Sequence, residues 1–240
     1  MSAEITLLRS PDSPDAYLQA FTEAGVSATC QPVLTFSFPY QEMLIERLKA
    51  ADVHSGLVLT SPRAVGALRR AFDAEESLTL LWKDKPVFVI GPKTASAVRG
   101  LGLTPQAQTT GDAETLVENI GAVWSEQNLR SPLLFLSGNR RRDTLPNGLA
   151  HIGIPATEQV VYTTQTRADI DLDDDTEWLV FFSPSGLESV EASRILVSSY
   201  RLAAIGPTTG DALSRAGLTP EAIAERPTPS ALVDAISQAG

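Results

Sequence analysis

Residues 86–105 read PVFVIGPKTASAVRGLGLTP, and residues 201–220 read RLAAIGPTTGDALSRAGLTP. Aligned from Ile90 and Ile205, the sixteen-residue segments that end at Pro105 and Pro220 share nine identical positions, which makes them an internal repeat. Each copy predicts a strand, a tight turn, a helix and a stop. The apolar runs Val87-Phe88-Val89-Ile90 and Leu202-Ala203-Ala204-Ile205 are short and unbroken, as strands buried on both faces of a parallel sheet are. Gly91 and Gly206 let the backbone turn. Pro92 and Pro207 carry the φ of a first helical turn and have no N–H to leave unpaired. Thr94, Thr208 and Thr209 offer hydroxyls to the free amides or to an anion, and each helix is expected to stop at a glycine, Gly102 or Gly217. A helix N-terminus, with its unpaired N–H groups, then stands at the carboxyl end of each central strand.

Working outward, two more units recur. Ile5 to Leu8 predicts a strand ending at Arg9, followed by a helix that Ser13-Pro14-Asp15 caps and Gly25 stops. LLFLSGNRRRDTLPNGLAHIGIPAT, from Leu133, repeats that unit with Asp143 in the place of Asp15 and Gly153 in that of Gly25. LVLTSPRAVGALRRAF from Leu57 is echoed by LVFFSPSGLESVEAS from Leu179, each a strand leading into Ser-Pro. Short strands are expected at Gln106 to Thr109 and Ala222 to Glu225, each followed by an amphipathic helix. Cys30 to Phe36 and Glu158 to Thr164 alternate with the period of an exposed or edge strand, leave their repeats at matching places, and suit a paired connector. Strands alternating with helices of this length predict α/β domains with parallel sheets, in which ligands sit outside the strands' carboxyl ends.

A chain of 240 residues fits one large domain or two smaller ones, and the repeat favours two. No apolar run approaches the ~18 residues of a membrane span, and MSAEITLLRS is not a signal segment, so a cytoplasmic location is expected. The single cysteine, Cys30, leaves no intrachain disulfide and no cysteine cluster for a metal. A formal charge of −10 argues against nucleic acid and anionic membrane as partners. A small anionic ligand remains open, because helix ends and a few arginines prevail within a Debye length of about 8 Å.

Familiar catalytic motifs are missing. Gly91-Pro92-Lys93-Thr94 ends like a phosphate loop, but Val87 stands where that loop needs its first glycine. Gly100-Leu101-Gly102 falls at a helix end, and no Gly-x-Ser-x-Gly elbow exists. His54 and His151, the two histidines, both read as surface residues near helix ends. What remains is a set of anion-ready turns: Arg9-Ser10, Thr60 to Arg63, Gly91 to Thr94, Ser137 to Arg142, Ser183 to Gly186 and Gly206 to Thr209. Arg140, Arg141 and Arg142 stand at a helix entrance, where cations oppose the dipole unless an anion or Asp143 offsets them.

TSPRAV at 60–65, SGNRRRDTLPNGLAHIGI at 137–154, VVYTT at 160–164, FFSPSGL at 181–187 and AIGPTTGDAL at 204–213 together resemble the uroporphyrinogen-III synthase family, from about residue 5 to residue 236. The resemblance implies two flavodoxin-like parallel-sheet domains joined by a two-stranded β connector, one domain being discontinuous. Carried over, residues 1–30 and 168–240 form the first domain, 41–156 the second, and 31–40 and 157–167 the connectors; from the repeat alone, each half could equally fold on itself. It implies closure of the linear tetrapyrrole hydroxymethylbilane to uroporphyrinogen III, with loss of water and inversion of the last ring, using no metal or organic cofactor. That substrate carries eight carboxylates.

Tyr162 matches the tyrosine of the family's VVY segment and would donate to the leaving hydroxyl, since a phenol, with an ordinary pKa of about 10, is protonated at neutral pH. Arg9, Thr60, Ser61, Arg63, Thr94, Ser183, Ser185, Thr208 and Thr209 would contact carboxylates or pyrroles, with Arg141 and Lys93 beside them. Ser137-Gly138-Asn139-Arg140 stands where many relatives have Arg-Gly-Glu-Arg, a departure that bears on that turn's role. The resemblance also implies a monomer, open to transient contact with neighbouring enzymes of the pathway. A rival from another class is a two-domain clamp that binds an anionic ligand without chemistry.

Overall fold

The structure, a computed structural model, describes residues 4–106 and 111–240. The chain divides into two compact units, residues 1–35 with 165–240, and residues 36–164.

The first unit opens with β1 (Ile5–Leu8), α1 (Ala16–Glu23) and β2 (Ala28–Cys30). Asp15 caps α1 by accepting from the N–H groups of Tyr17 and Leu18, and Gly25 ends the turn at φ +76°. β3 (Leu34–Ser37) then leads into the second unit, which contains α2 (Gln41–Lys49), β4 (Gly56–Leu59), α3 (Pro62–Ala74), α4 (Ser77–Trp82), β5 (Val87–Val89), α5 (Pro92–Arg99) and β6 (Pro105–Gln106). It continues through α6 (Ala113–Glu126), β7 (Leu133–Gly138), α7 (Thr144–His151) and β8 (Ala156–Thr166). The chain returns to the first unit with β9 (Trp178–Phe181), α8 (Pro184–Ala192), β10 (Arg201–Ala204), α9 (Pro207–Arg215), β11 (Ala222–Ile223) and α10 (Pro229–Ala239). β11 is shorter than the expected strand, and residues 107–109 of the strand expected at 106–109 lie outside the described residues.

In the first unit the strand order is β11-β10-β9-β1-β2, with every pair parallel. Counted within the unit this is 2-1-3-4-5, the flavodoxin-like order. Because side chains alternate across a strand, Ile5 and Leu7 join Phe21, Leu232 and Ile236 on one face, while Leu8, Leu179 and Phe181 join Val190 and Leu213 on the other. Helices α1 and α10 thus cover one side, and α8 and α9 the other.

The second unit's sheet runs β3-β8-β7-β4-β5-β6, with parallel pairing from β8 to β6. If β7 is matched to β1, as the sequence repeat matches Leu133 to Ile5, the last five strands repeat the 2-1-3-4-5 arrangement with the chain entering at its third strand. Leu57, Leu59, Val87, Leu134 and Leu136 pack under α2, α3, α4 and α5, and Val58, Phe88, Leu133 and Phe135 under α6 and α7. β8 pairs with β7 along Ala156 to Tyr162 and so belongs to this sheet, with β3 beside it at the edge.

Two local expectations change. Gly91 turns at φ +79°, a conformation that disfavours L side chains, whereas its repeat partner Gly206 is extended at φ 176°. Neither α5 nor α9 has a side-chain cap, because the N-cap residue of each is a glycine, Gly91 or Gly206, while Thr94 and Thr209 are buried. His54 is not a surface residue but is 3% exposed, since it lies two residues before β4 and against Trp82 of α4, with ring centroids 6.4 Å apart. Neither ring nitrogen of His54 has a well-formed hydrogen bond.

Candidate active site

In a doubly wound sheet the crevice lies where neighbouring strands send their connections in opposite directions. In the second unit those strands are β7, which leads through α7 to β8, and β4, which leads through α3 to β5. Outside their carboxyl ends is a cleft of about 390 Å³. Its floor is apolar, with Ile90, Phe135 and Leu145, and its rim carries Thr60, Ser61, Asp112, Arg140, Arg141, Arg142 and Tyr162. Thr60, Ser61, Arg141 and Tyr162, four of the residues expected from sequence, therefore meet in one place.

Two helix N-termini border it. Ser61 caps α3, its Oγ accepting from the Arg63 N–H at 3.1 Å, and its O–H remains able to donate elsewhere. Asp112 caps α6 by accepting from Thr115 N–H at 2.8 Å, a bond that holds its carboxyl below the usual range. Arg63 itself lies outside this lining, with its guanidinium 3.6 Å from the centroid of the Phe36 ring. Thr94 is buried at the start of α5, and Lys93 beside it is exposed.

Tyr162 reaches the cleft because β8 is irregular there. Ser137 pairs with Val160 but Gly138 pairs with Tyr162, so β8 spends one extra residue against β7. Val161 and Tyr162 both reach the core under α3, which strict alternation would forbid; bulges re-aim side chains in this way. The Tyr162 ring lies over Gly138, where an added Cβ would stand 2.6 Å from the phenol oxygen. Among the described residues the hydroxyl has no hydrogen-bond partner.

The arginine turn is anchored from within. Arg141 donates through Nε and Nη2 to the two oxygens of Glu158, at 2.6 and 2.8 Å, and through Nη1 to Asp143. Ser137 Oγ also donates to Glu158, at 2.6 Å. Hydrogen bonds from Arg141, helped by Ser137 against the opposing effect of burial, hold the Glu158 carboxyl below its usual range; the same bonds, Glu158 first and then Asp143, raise the Arg141 guanidinium. The opposition between Arg141 and the helix dipole is thus offset by two carboxylates of the chain itself. The sequence does not single out Glu158. The one signal for it was an arginine run with too few nearby acids, and that signal does not say which distant acid answers it.

In the first unit the corresponding neighbours are β1 and β9. Arg9, just past β1, donates to both oxygens of Asp15 at 3.0 and 2.8 Å and to Asp12 at 2.8 Å. Its guanidinium is 5.2 Å from the ring centroids of both Tyr17 and Phe182. Burial alone would raise the Asp15 carboxyl, but the N–H groups of Asp12 and Leu18 together with Arg9 lower it. Burial, then the charge of Asp15, pushes the Cys30 thiol up to about 11, which makes it a poor nucleophile. At the start of α8, Ser183 and Ser185 share a hydrogen bond of 2.6 Å. At the start of α9, Thr208 is exposed and Thr209 buried.

Comparison with known proteins agrees with this architecture. Residues 15–234 match the family model described as "Uroporphyrinogen-III synthase HemD". The chain is 30% identical to the uroporphyrinogen-III synthase of Schizosaccharomyces pombe over 96% of its length and 94% of that protein's. It is 31% identical to that of Saccharomyces cerevisiae over 75% and 74% of the two chains. A solved uroporphyrinogen-III synthetase from Helicobacter pylori, 17% identical, covers 98% of this chain and 99% of its own at a TM-score of 0.67, which speaks to the fold alone. With the family model spanning residues 15–234 and a fungal relative aligned along nearly the whole length, the chain belongs to the uroporphyrinogen-III synthase family.

Proposed function

We propose that this protein is a uroporphyrinogen-III synthase, a lyase that closes hydroxymethylbilane to uroporphyrinogen III in tetrapyrrole biosynthesis. The observation that carries the reading is the unpartnered Tyr162 hydroxyl at the rim of an arginine-bordered cleft, in a member of this family. Tyr162 donates its proton to the terminal hydroxyl of the substrate; the C–O bond breaks, water leaves, and an electrophilic azafulvenium cation remains beside the phenolate. Inversion of the last ring then takes two C–C bonds formed and one broken: its bridged α-carbon attacks the azafulvenium carbon, its bond to the preceding ring's bridge carbon breaks, and its free α-carbon bonds that bridge carbon, releasing the proton that restores the phenol. Most of the barrier reduction comes from holding one folded conformer, because the unguided product is the isomer without inversion.

Thr60, Ser61 and Arg142 contact substrate carboxylates at the cleft, with the free N–H groups of the α3 and α6 N-termini. Arg63, Lys93, Thr94, Ser183, Ser185, Thr208 and Thr209 are further contacts in this reading. Arg9 and Arg141 act mainly through the carboxylates they already hold. The compact units support one discontinuous domain beside a continuous one; in this reading residues 1–30 with 168–240 form the first, 41–156 the second, and 31–40 and 157–167 the connectors. The enzyme acts as a cytoplasmic monomer; among the described residues no helix is long and apolar enough to cross a membrane.

The test is to give the purified protein freshly made hydroxymethylbilane and separate the product isomers. Formation of isomer III well above the spontaneous rate supports the reading, and isomer I alone at the spontaneous rate overturns it.

A further inference from the structure

A bulged strand loses ladder hydrogen bonds and twists away from its partner, so the bulge that brings Tyr162 onto Gly138 must be held by something else. Asn139, the residue just past β7, does this three times. Its N–H donates to the Tyr162 carbonyl at 3.2 Å. Its side chain bonds Thr164 on both counts, with Oδ1 accepting from the Thr164 N–H at 2.7 Å and Nδ2 donating to the Thr164 carbonyl at 3.3 Å. A side-chain amide thus stands in for the peptide group that β7 no longer offers, and it fixes the strand just after Tyr162.

Gly138 makes room for the ring. A methyl group there would lie 2.6 Å from the phenol oxygen, about 1 Å inside ordinary van der Waals contact. Gly138 is buried in a central strand paired on both sides, whereas Tyr162 is only half-buried. The ring is therefore the part that would move.

We propose that Gly138 and Asn139 are positioning residues for the Tyr162 phenol, Gly138 by leaving the space the ring fills and Asn139 by pinning the bulged strand that carries it. The proposal rests on the reading of Tyr162 as proton donor. A donor displaced by about 1 Å can lose on the order of 10²-fold in rate. Neither residue touches the reacting atoms.

The experiment is steady-state kinetics on hydroxymethylbilane with Gly138→Ala, Asn139→Ala, Tyr162→Phe and the two double variants that combine each positioning change with Tyr162→Phe. Gly138→Ala and Asn139→Ala each lower kcat about ten-fold or more, with KM within about two-fold. Each double variant is no slower than Tyr162→Phe alone, because the group being positioned is already gone. Losses that multiply in the double variants overturn the proposal, as does full kcat in Asn139→Ala. Tyr162→Phe at full kcat overturns the donor reading and the proposal together. A slow Tyr162→Phe beside normal positioning variants overturns the proposal alone. Asn139 is exposed, so its variant keeps the test decisive if Gly138→Ala does not fold.

Discussion

Arg141 and Glu158 face each other through two parallel hydrogen bonds, Nε to Oε1 at 2.6 Å and Nη2 to Oε2 at 2.8 Å, and so join the turn after β7 to the strand β8. The fork geometry is favourable, but the side chains remain 29% and 31% exposed, so the pair contributes about 1 kcal/mol rather than the larger value of a dry pair. Glu158→Gln should lower the unfolding free energy by about that amount at pH 7. Because the folded-state carboxyl lies below its ordinary value of 4.5, its stabilisation is present above pH 4.5 and fades as the pH falls through the folded value. Urea unfolding of the two proteins at pH 7 and pH 3.5 checks this: the gap at pH 7 should narrow in acid.

Tyr162→Phe should slow turnover by about ten-fold or more, the range of a lost general acid. The hydroxyl makes no hydrogen bond within the described residues, so the melting temperature should stay that of the parent. Turnover equal to the parent's would remove Tyr162 from the mechanism while leaving the family assignment intact.

The two Gly-Pro turns should respond differently to the same substitution. Gly91→Ala forces an L side chain to φ +79° and should cost about 1 kcal/mol or more. Gly206→Ala enters extended backbone, with its nearest new neighbour 4.0 Å away, and should change stability by less than about 0.5 kcal/mol. Equal losses in denaturant melts would refute the distinction.

His54 should make the fold sensitive to mild acid. Burial lowers its pKa from 6.5, reinforced by the positive charges of Arg47 and Lys85 and opposed by the Pro132 carbonyl and Asp52. Below pH 6.5 the unfolded chain takes up this proton while the folded chain resists it, so stability is full above pH 6.5 and declines as the pH falls toward the folded value. His54→Leu removes two buried polar atoms without a well-formed hydrogen bond and should stabilise the protein by about 1 kcal/mol at pH 6. The parent's loss of stability between pH 7.5 and pH 5.5 should shrink in that variant.

The turns were legible because their causes are local. Asp15 before α1, Ser61-Pro62 before α3, and Gly25, Gly102, Gly153 and Gly217 past their helices each act within a few residues, and all appear at the expected places. Tyr162 was found through resemblance, not chemistry, since a tyrosine in an alternating strand has no local mark. Glu158 and the holding role of Asn139 are not legible in the sequence, because each depends on a residue one strand away. His54 reads as a surface residue because its sequence neighbours are polar, while the Trp82 that buries it arrives from another helix.

The sequence by itself determined the alternation of strand and helix, the places where helices start and stop, and the twofold repetition of the units, because hydrophobic periodicity and backbone sterics act over short stretches. Only the tertiary structure decided that β7 and β8 precede β4 in spatial order, that one extra residue in β8 lays Tyr162 over Gly138, and that Arg141 is held by Glu158 of the neighbouring strand. The reason is physical. Register, burial and charge pairing arise between segments far apart in the chain, and no short stretch contains both partners.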